Sequence, residues 1–183
     1  MNYRLTTVLL ALALLLVLGA GSSLAAPDAS VKTAAPAGDY DFTIHGTAWT
    51  VELRGQFSTV VPRGWGTLTR VKSAGSYWVH IPVPYPSVIA GSSMYVKYVE
   101  FCAKSSDYTK AYPVHWDMYD GSGSNFASAN ITWPSDNAYH CVGATFSPGI
   151  WRQDLGISVL VTYQDNIAAL TLYKAWVRVN PTP

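Results

Sequence analysis

From Asp39 to Val179, apolar and polar side chains alternate with a period of two, and no window places apolar residues at helical spacing. The rhythm predicts strands at Tyr40–Ile44, Thr47–Arg54, Thr67–Lys72, Tyr77–Val83, Met94–Lys104, Ala111–Tyr119, Ala127–Ile131, Ala138–Phe146, Leu155–Tyr163 and Ala168–Val179. Between them sit Asp120-Gly121-Ser122-Gly123-Ser124-Asn125, Pro134-Ser135-Asp136-Asn137, Ser147-Pro148-Gly149 and Gln164-Asp165-Asn166. Their Gly and Asn residues accept the positive φ that tight turns demand.

Alternation also assigns faces. Val79, Ile81 and Val83 form a core face with Trp78, His80 and Pro82 turned the other way. Pro82, Pro84 and Pro86 cannot donate to a ladder, so this strand leaves its sheet there or lies at an edge. Ile157, Val159, Val161 and Tyr163 make one apolar face and Tyr173, Ala175, Val177 and Val179 another. The short polar connection between those two runs predicts a closing antiparallel hairpin. About ten short strands without a helix must close or fold into two layers. The fold class expected is therefore all-β: a two-layer antiparallel β-sandwich of jelly-roll type.

The chain before Asp39 follows a different pattern. Arg4 precedes an unbroken apolar run, Val8 to Leu18, that ends in small residues, and Ser23-Leu24-Ala25 fits a small-x-small cleavage site. The run is shorter than the roughly 20 residues of a spanning helix. We read 1–25 as a signal peptide, 26–38 as a flexible Ala- and Pro-rich leader, and 39–183 as one β-sandwich domain of a secreted protein.

Charge narrows the partners. The chain has twelve Lys and Arg, one of them Arg4 in the expected signal peptide, against eleven Asp and Glu. With no basic run there is no electrostatic footprint for nucleic acid, and insertion of the mature chain into a membrane is not expected. Charged residues make up only 13% of the chain, while Tyr and Trp number twelve and seven. Large aromatic side chains suit a pleated, half-buried surface, which agrees with the strand pattern.

Cys102 and Cys141 are the only two cysteines. In an exported chain paired thiols are expected to join. If Val99, Phe101 and Ala103 face inward beside His140, Val142, Ala144 and Phe146, both cysteines lie on outward faces of neighbouring strands, which predicts a cross-strand disulfide. On the chain-entropy model, closing a loop of about 40 residues stabilises the fold by roughly 4 kcal/mol.

His45-Gly46 followed by Val51-Glu52, Arg63-Gly64-Trp65-Gly66-Thr67, Trp78-Val79-His80-Ile81-Pro82-Val83-Pro84 and Tyr119-Asp120-Gly121 occur in that order. Over roughly residues 40 to 121 this series resembles an uncharacterised family of bacterial β-sandwich proteins. The resemblance implies a fold and brings no established activity with it.

Catalytic and metal motifs are sparse. His45, His80, His115 and His140 lack the spacing of a zinc site, so no metal and no cofactor is expected. Asp117 and Asp120, ahead of an oxygen-rich loop, are the one candidate pair for calcium, although Asp120-Gly121 also reads as turn chemistry. Glu52 and Glu100 are the only glutamates and the natural candidates for a carboxylate pair acting on a glycoside. There is no Gly-x-Ser-x-Gly elbow and no phosphate cradle.

Tryptophan carries the clearest functional signal. Trp65, Trp133 and Trp151 fall where strands end, and loops at the ends of a sandwich commonly carry binding. A ring presented there can stack on the apolar face of a sugar, or fold back and plug the open end of the sandwich. The expectation is a secreted, non-catalytic binding or structural module with a glycan or cell-surface polymer as ligand. The alternatives are a small secreted hydrolase using Glu52 and Glu100, and a surface or matrix protein that self-assembles through exposed strand edges.

Overall fold

Among the described residues thirteen strands follow one another: β1 (Tyr40–Ile44), β2 (Thr50–Val51), β3 (Phe57–Arg63), β4 (Gly66–Val71), β5 (Gly75–Pro82), β6 (Val88–Ile89), β7 (Ser92–Ser93), β8 (Tyr95–Ser105), β9 (Ala111–Asp120), β10 (Asn125–Asn130), β11 (Tyr139–Trp151), β12 (Leu155–Tyr163) and β13 (Leu170–Asn180). This computed structural model describes residues 38–183. The expected signal peptide (1–25) and all of the leader but Gly38 lie outside the described residues.

Two antiparallel sheets form the sandwich. One runs β11-β8-β13-β4-β3, with β1 also on β13; the other runs β10-β9-β12-β5-β2. β6 and β7 pair only with each other. The inward residues of the central strands are almost all Val, Ile, Leu or aromatic: Val79 and Ile81 from β5, Ile157, Val159 and Val161 from β12, and Leu170, Leu172, Ala175, Val177 and Val179 from β13 are buried. Burying a side chain of this size contributes roughly 1.5–3 kcal/mol, so this two-sided apolar layer is the main favourable term. One polar pair sits inside it. Thr69 Oγ1 meets the Tyr163 hydroxyl at 2.7 Å and donates to the Leu170 carbonyl, so neither hydroxyl is left unpaired.

Cys102 and Cys141 lie directly opposite one another on β8 and β11 and are joined by a disulfide with Cα atoms 4.0 Å apart. Val99, Phe101 and Ala103 are buried, as alternation requires. β5 ends at Pro82, where the prolines stop the ladder, after the Val83 N–H makes one more bond to Leu155 O at 2.6 Å.

Several expectations are corrected. β12 and β13 are not a hairpin: β12 pairs with β5 and β9, β13 with β8, β4 and β1, so the chain crosses from one layer to the other between them. Their apolar faces meet across the core instead of lying side by side. Thr47–Arg54 holds only the short β2, set between 3-10 turns at Gly46–Ala48 and Arg54–Gln56. β3 was not expected, because Pro62 and a largely exposed edge position blur its alternation. Ser147-Pro148-Gly149 is not a turn but a bulge inside β11, where the register slips between Thr145 and Ile150.

A second bulge shapes the surface. The β13–β8 register slips between Leu172 and Ala175. Tyr173 therefore leaves the inward face assigned to it and is half-buried, whereas Ala175, Val177 and Val179 are fully buried. A Cβ at Gly46 would fall on the Tyr173 carbonyl, and one at Gly66 on that of Leu172, so both glycines are needed for the backbones to approach.

Candidate functional site

That bulge places the Tyr173 ring on the outer face of the six-stranded sheet, beside two other aromatic rings. The Trp65 indole stacks on Tyr173 with centroids 5.7 Å apart and planes 29° from parallel, and Tyr139 meets Tyr173 edge-on at 4.9 Å. Trp65 is 51% exposed and Tyr139 45%, so the three rings form one open aromatic surface. Two of them are held through the backbone. Trp65 occupies the β3–β4 turn, the carbonyl of Gly64 beside it takes a hydrogen bond from His45 Nε2 at 3.1 Å, and the buried Thr67 hydroxyl donates to Gly46 O at 2.8 Å. Tyr173 is anchored by its carbonyl, which accepts from the Trp49 indole N–H at 2.8 Å.

Polar groups border these rings. Lys174 Nζ lies 3.5 Å from Glu100 Oε1, and the Tyr98 hydroxyl donates to Glu100 Oε2 at 3.0 Å. Burial pushes the Tyr98 hydroxyl above its ordinary range, and the Glu100 carboxylate adds to the effect. Further along the same face Tyr98 packs on Trp176, Arg178 covers the Trp176 ring at 4.9 Å, and Arg178 forms a two-point pair with Asp41 at 2.8 and 3.1 Å. The hydrogen bond from Arg178 holds the Asp41 carboxyl below the usual carboxylate range. Tyr98, Trp176 and Arg178, with Asp39, Lys97 and Thr145, line a groove of about 440 Å³.

The three tryptophans singled out by sequence do not share this surface. Trp151 is 41% exposed at the far end of β11. Tyr139 pairs with Lys104 and Trp151 with Tyr95, so the two ends of that ladder lie roughly 30 Å apart at about 3.3 Å per residue. Trp151 instead lines a cleft of about 410 Å³ with Asp120, Ser122, Arg152, Gln153 and Asp154. Trp133 is half-buried in the connection between the sheets, edge-on to His140 at 5.6 Å, with its indole N–H buried and without a partner. Its ring packs against the core and is not among the exposed ones.

The proposed calcium pair does not converge. Asp120 Oδ1 accepts from the Ser122 N–H and hydroxyl and the Ser124 N–H at 2.6–3.1 Å, closing its own loop, and Oδ2 faces Arg152 at 3.7 Å. Asp117 points from the outer face of the five-stranded sheet and meets His115 Nε2 at 3.2 Å and the Tyr119 hydroxyl at 3.3 Å. Burial pushes its carboxyl up, but hydrogen bonds from Ser128, Asn125 and His115 outweigh that and bring it below the usual range. Among the described residues the one three-member grouping of candidate metal ligands is Glu100, Cys102 and Cys141, and both of its sulfurs are tied up in the disulfide.

Glu52 and Glu100 are separated by the sandwich. Glu52 follows β2 and lies beside Trp78, His80, Tyr119 and Ser158 on the outer face of the five-stranded sheet. Glu100 is on the outer face of the other sheet, beside Lys174. Packed sheets are about 10 Å apart, and both carboxylates point away from the interior, so they cannot flank one glycosidic bond. Sequence reasoning also missed Tyr173 and Tyr139, since no local signal marks a bulge that turns a core-face tyrosine outward.

No family model and no curated protein matches the chain. Among solved structures it is similar to the C-terminal CBM6 of LamC from Zobellia galactanivorans, at 9% identity and TM-score 0.45, over 77% of this chain and 99% of that one. It is also similar to the low-affinity xylan-binding module CBM86 from Roseburia intestinalis, at 11% identity and TM-score 0.44, over 77% and 96%. A third likeness is to a CBM6 module of Cellvibrio mixtus lichenase 5A in complex with cellotriose, at 17% identity and TM-score 0.41, over 78% and 98%.

Proposed function

We propose that this protein is a secreted, non-catalytic module that binds polysaccharide across Trp65, Tyr173 and Tyr139. The observation that carries this reading is the stacked Trp65–Tyr173 pair with Tyr139 against it: two solvent-exposed rings packed on a half-buried third. Exposed apolar surface that the fold has gone to such lengths to hold outward is the mark of a binding site. Planar rings suit the flat apolar faces of pyranose units, and Glu100 and Lys174 at the border offer an acceptor and a donor to sugar hydroxyls. Export is supported by the leader pattern and by a disulfide, a bond that persists in oxidising compartments. Among the described residues no helix is long and apolar enough to cross a membrane.

Affinity electrophoresis in gels containing soluble β-glucan, xylan or galactan tests this directly. Retardation by at least one polymer is expected, with a tenfold or greater loss of affinity in the Trp65→Ala/Tyr139→Ala variant. Unretarded wild-type protein across the panel, or unchanged retardation of the variant, would overturn it.

A further inference from the structure

The opposite face of the sandwich carries a second constellation. Registers across the five-stranded sheet align Glu52 with Trp78, then Leu160 and His115, in one row, and Thr50 with His80, Ser158 and Asp117 in the next. Glu52, Trp78, His80, Tyr119 and Ser158 line a cleft of about 160 Å³. That is well below the roughly 300 Å³ of a drug-sized site, so the cleft holds one small unit and not a chain.

Its electrostatics are one-sided. None of the five strands contains a Lys or Arg. The nearest basic residue in sequence, Arg54, is turned to the Phe57 carbonyl at 3.2 Å. Asp117 is already satisfied by His115, Tyr119, Ser128 and Asn125. Among the described residues the Glu52 carboxylate has neither a hydrogen-bond partner nor a cation, although it lies close enough to act electrostatically on His80 and Tyr119. His80 Nδ1 is taken by the Ser158 hydroxyl at 2.8 Å, and among the described residues its Nε2 has no hydrogen-bond partner. An uncommitted carboxylate beside the rings of Trp78 and Tyr119 attracts a cation twice over, by charge and by the ring quadrupoles. A bare metal ion is a poor match, since no third ligand atom converges here among the described residues.

We infer that this cleft binds an amino-sugar residue bearing a free ammonium group, with Glu52 pairing the ammonium and Trp78 stacking on the pyranose ring. The choice of a sugar as carrier of the ammonium rests on the glycan-binding reading above, but the residues are separate from Trp65, Tyr173 and Tyr139 and lie on the other face.

Isothermal titration with the fully deacetylated glucosamine trimer, its N-acetylated counterpart and neutral cellotriose tests the site. The glucosamine trimer is expected to bind at least tenfold more tightly than the other two at this site. Glu52→Gln should remove that preference, and Trp65→Ala/Tyr139→Ala should leave it intact. Equal affinity for the free and acetylated trimers, or an unchanged preference in Glu52→Gln, would overturn the inference even if neutral polymers still bind at Trp65. A glucosamine preference that is lost only in the Trp65→Ala/Tyr139→Ala variant would overturn it too. Glu52-dependent binding of the trimer with no polymer bound at Trp65 would support this site and sink the other. Lysine methyl ester is the final control: Glu52-dependent binding of it as tight as that of the trimer would show that the sugar ring is not recognised, and would also overturn the inference.

Discussion

The indole N–H of Trp49 donates to the carbonyl of Tyr173 at 2.8 Å, across 124 residues of sequence. Trp49 is itself buried and packs edge-on to Phe101 at 6.0 Å, so the core reaches out and fixes the bulge that presents Tyr173. Trp49→Phe keeps most of the packing and removes the donor. It should cost about 1–3 kcal/mol in urea denaturation, the usual penalty for leaving the buried partner of such a bond unpaired. Because the bulge loosens, polysaccharide affinity should also fall several-fold, whereas a purely structural role would leave the retardation of the folded variant unchanged.

Removing the disulfide tests the other clamp on this face. Cys102 is buried and Cys141 exposed, and the bond ties edge strand β11 to β8 beneath the aromatic surface. The Cys102→Ala/Cys141→Ala double variant should lose roughly 2–4 kcal/mol, read as a lower midpoint in chemical denaturation with little change in the folded spectrum.

How far the residues foretold this molecule depends on the distance over which their physics acts. Period-two alternation is local, so the cores of β5, β8 and β12 and the pairing of Cys102 with Cys141 were legible. Which layer a strand joins is decided by its partners. Two adjacent apolar runs, Ile157–Tyr163 and Ala175–Val179, look alike whether they pair edge to edge or face each other across a core, and here they do the latter. The site was read least well. Trp65 is marked by its flanking glycines, but Tyr173 is displaced by a bulge that depends on Gly46, Trp49 and Gly66, all remote in sequence. The two glutamates also carry no local sign that opposite sheets hold them apart.

The three loop tryptophans should separate cleanly by experiment. Trp65→Ala is expected to weaken polymer binding while leaving stability within about 0.5 kcal/mol, since its ring is half exposed. Trp133→Ala removes a ring packed on His140 at the junction of the sheets and should cost about 1–3 kcal/mol, with binding at Trp65 intact. Trp151→Ala, some 30 Å from the aromatic surface, should change neither.

His80 gives the fold an acid sensitivity of definite sign. Burial on the sheet face lowers its pKa from the ordinary value near 6.5, and the nearby Glu52 carboxylate only partly offsets this. Above about pH 6.5 the imidazole is neutral in both the folded and unfolded chain and contributes no pH dependence. As pH falls below that value the unfolded chain takes up the proton first, so stability declines until the folded-state pKa is reached and then levels off. Asp117, whose folded pKa is depressed, acts in a separate window: its contribution is present above the unfolded carboxylate value near 3.8 and is lost only as pH falls below it. Urea denaturation at half-unit steps from pH 7.5 to 4.5 should therefore show a decline beginning near pH 6.5. In His80→Gln, which keeps a polar partner for Ser158 but cannot titrate, the decline should be shallower. If the two proteins have the same slope through that interval, His80 is not the group responsible.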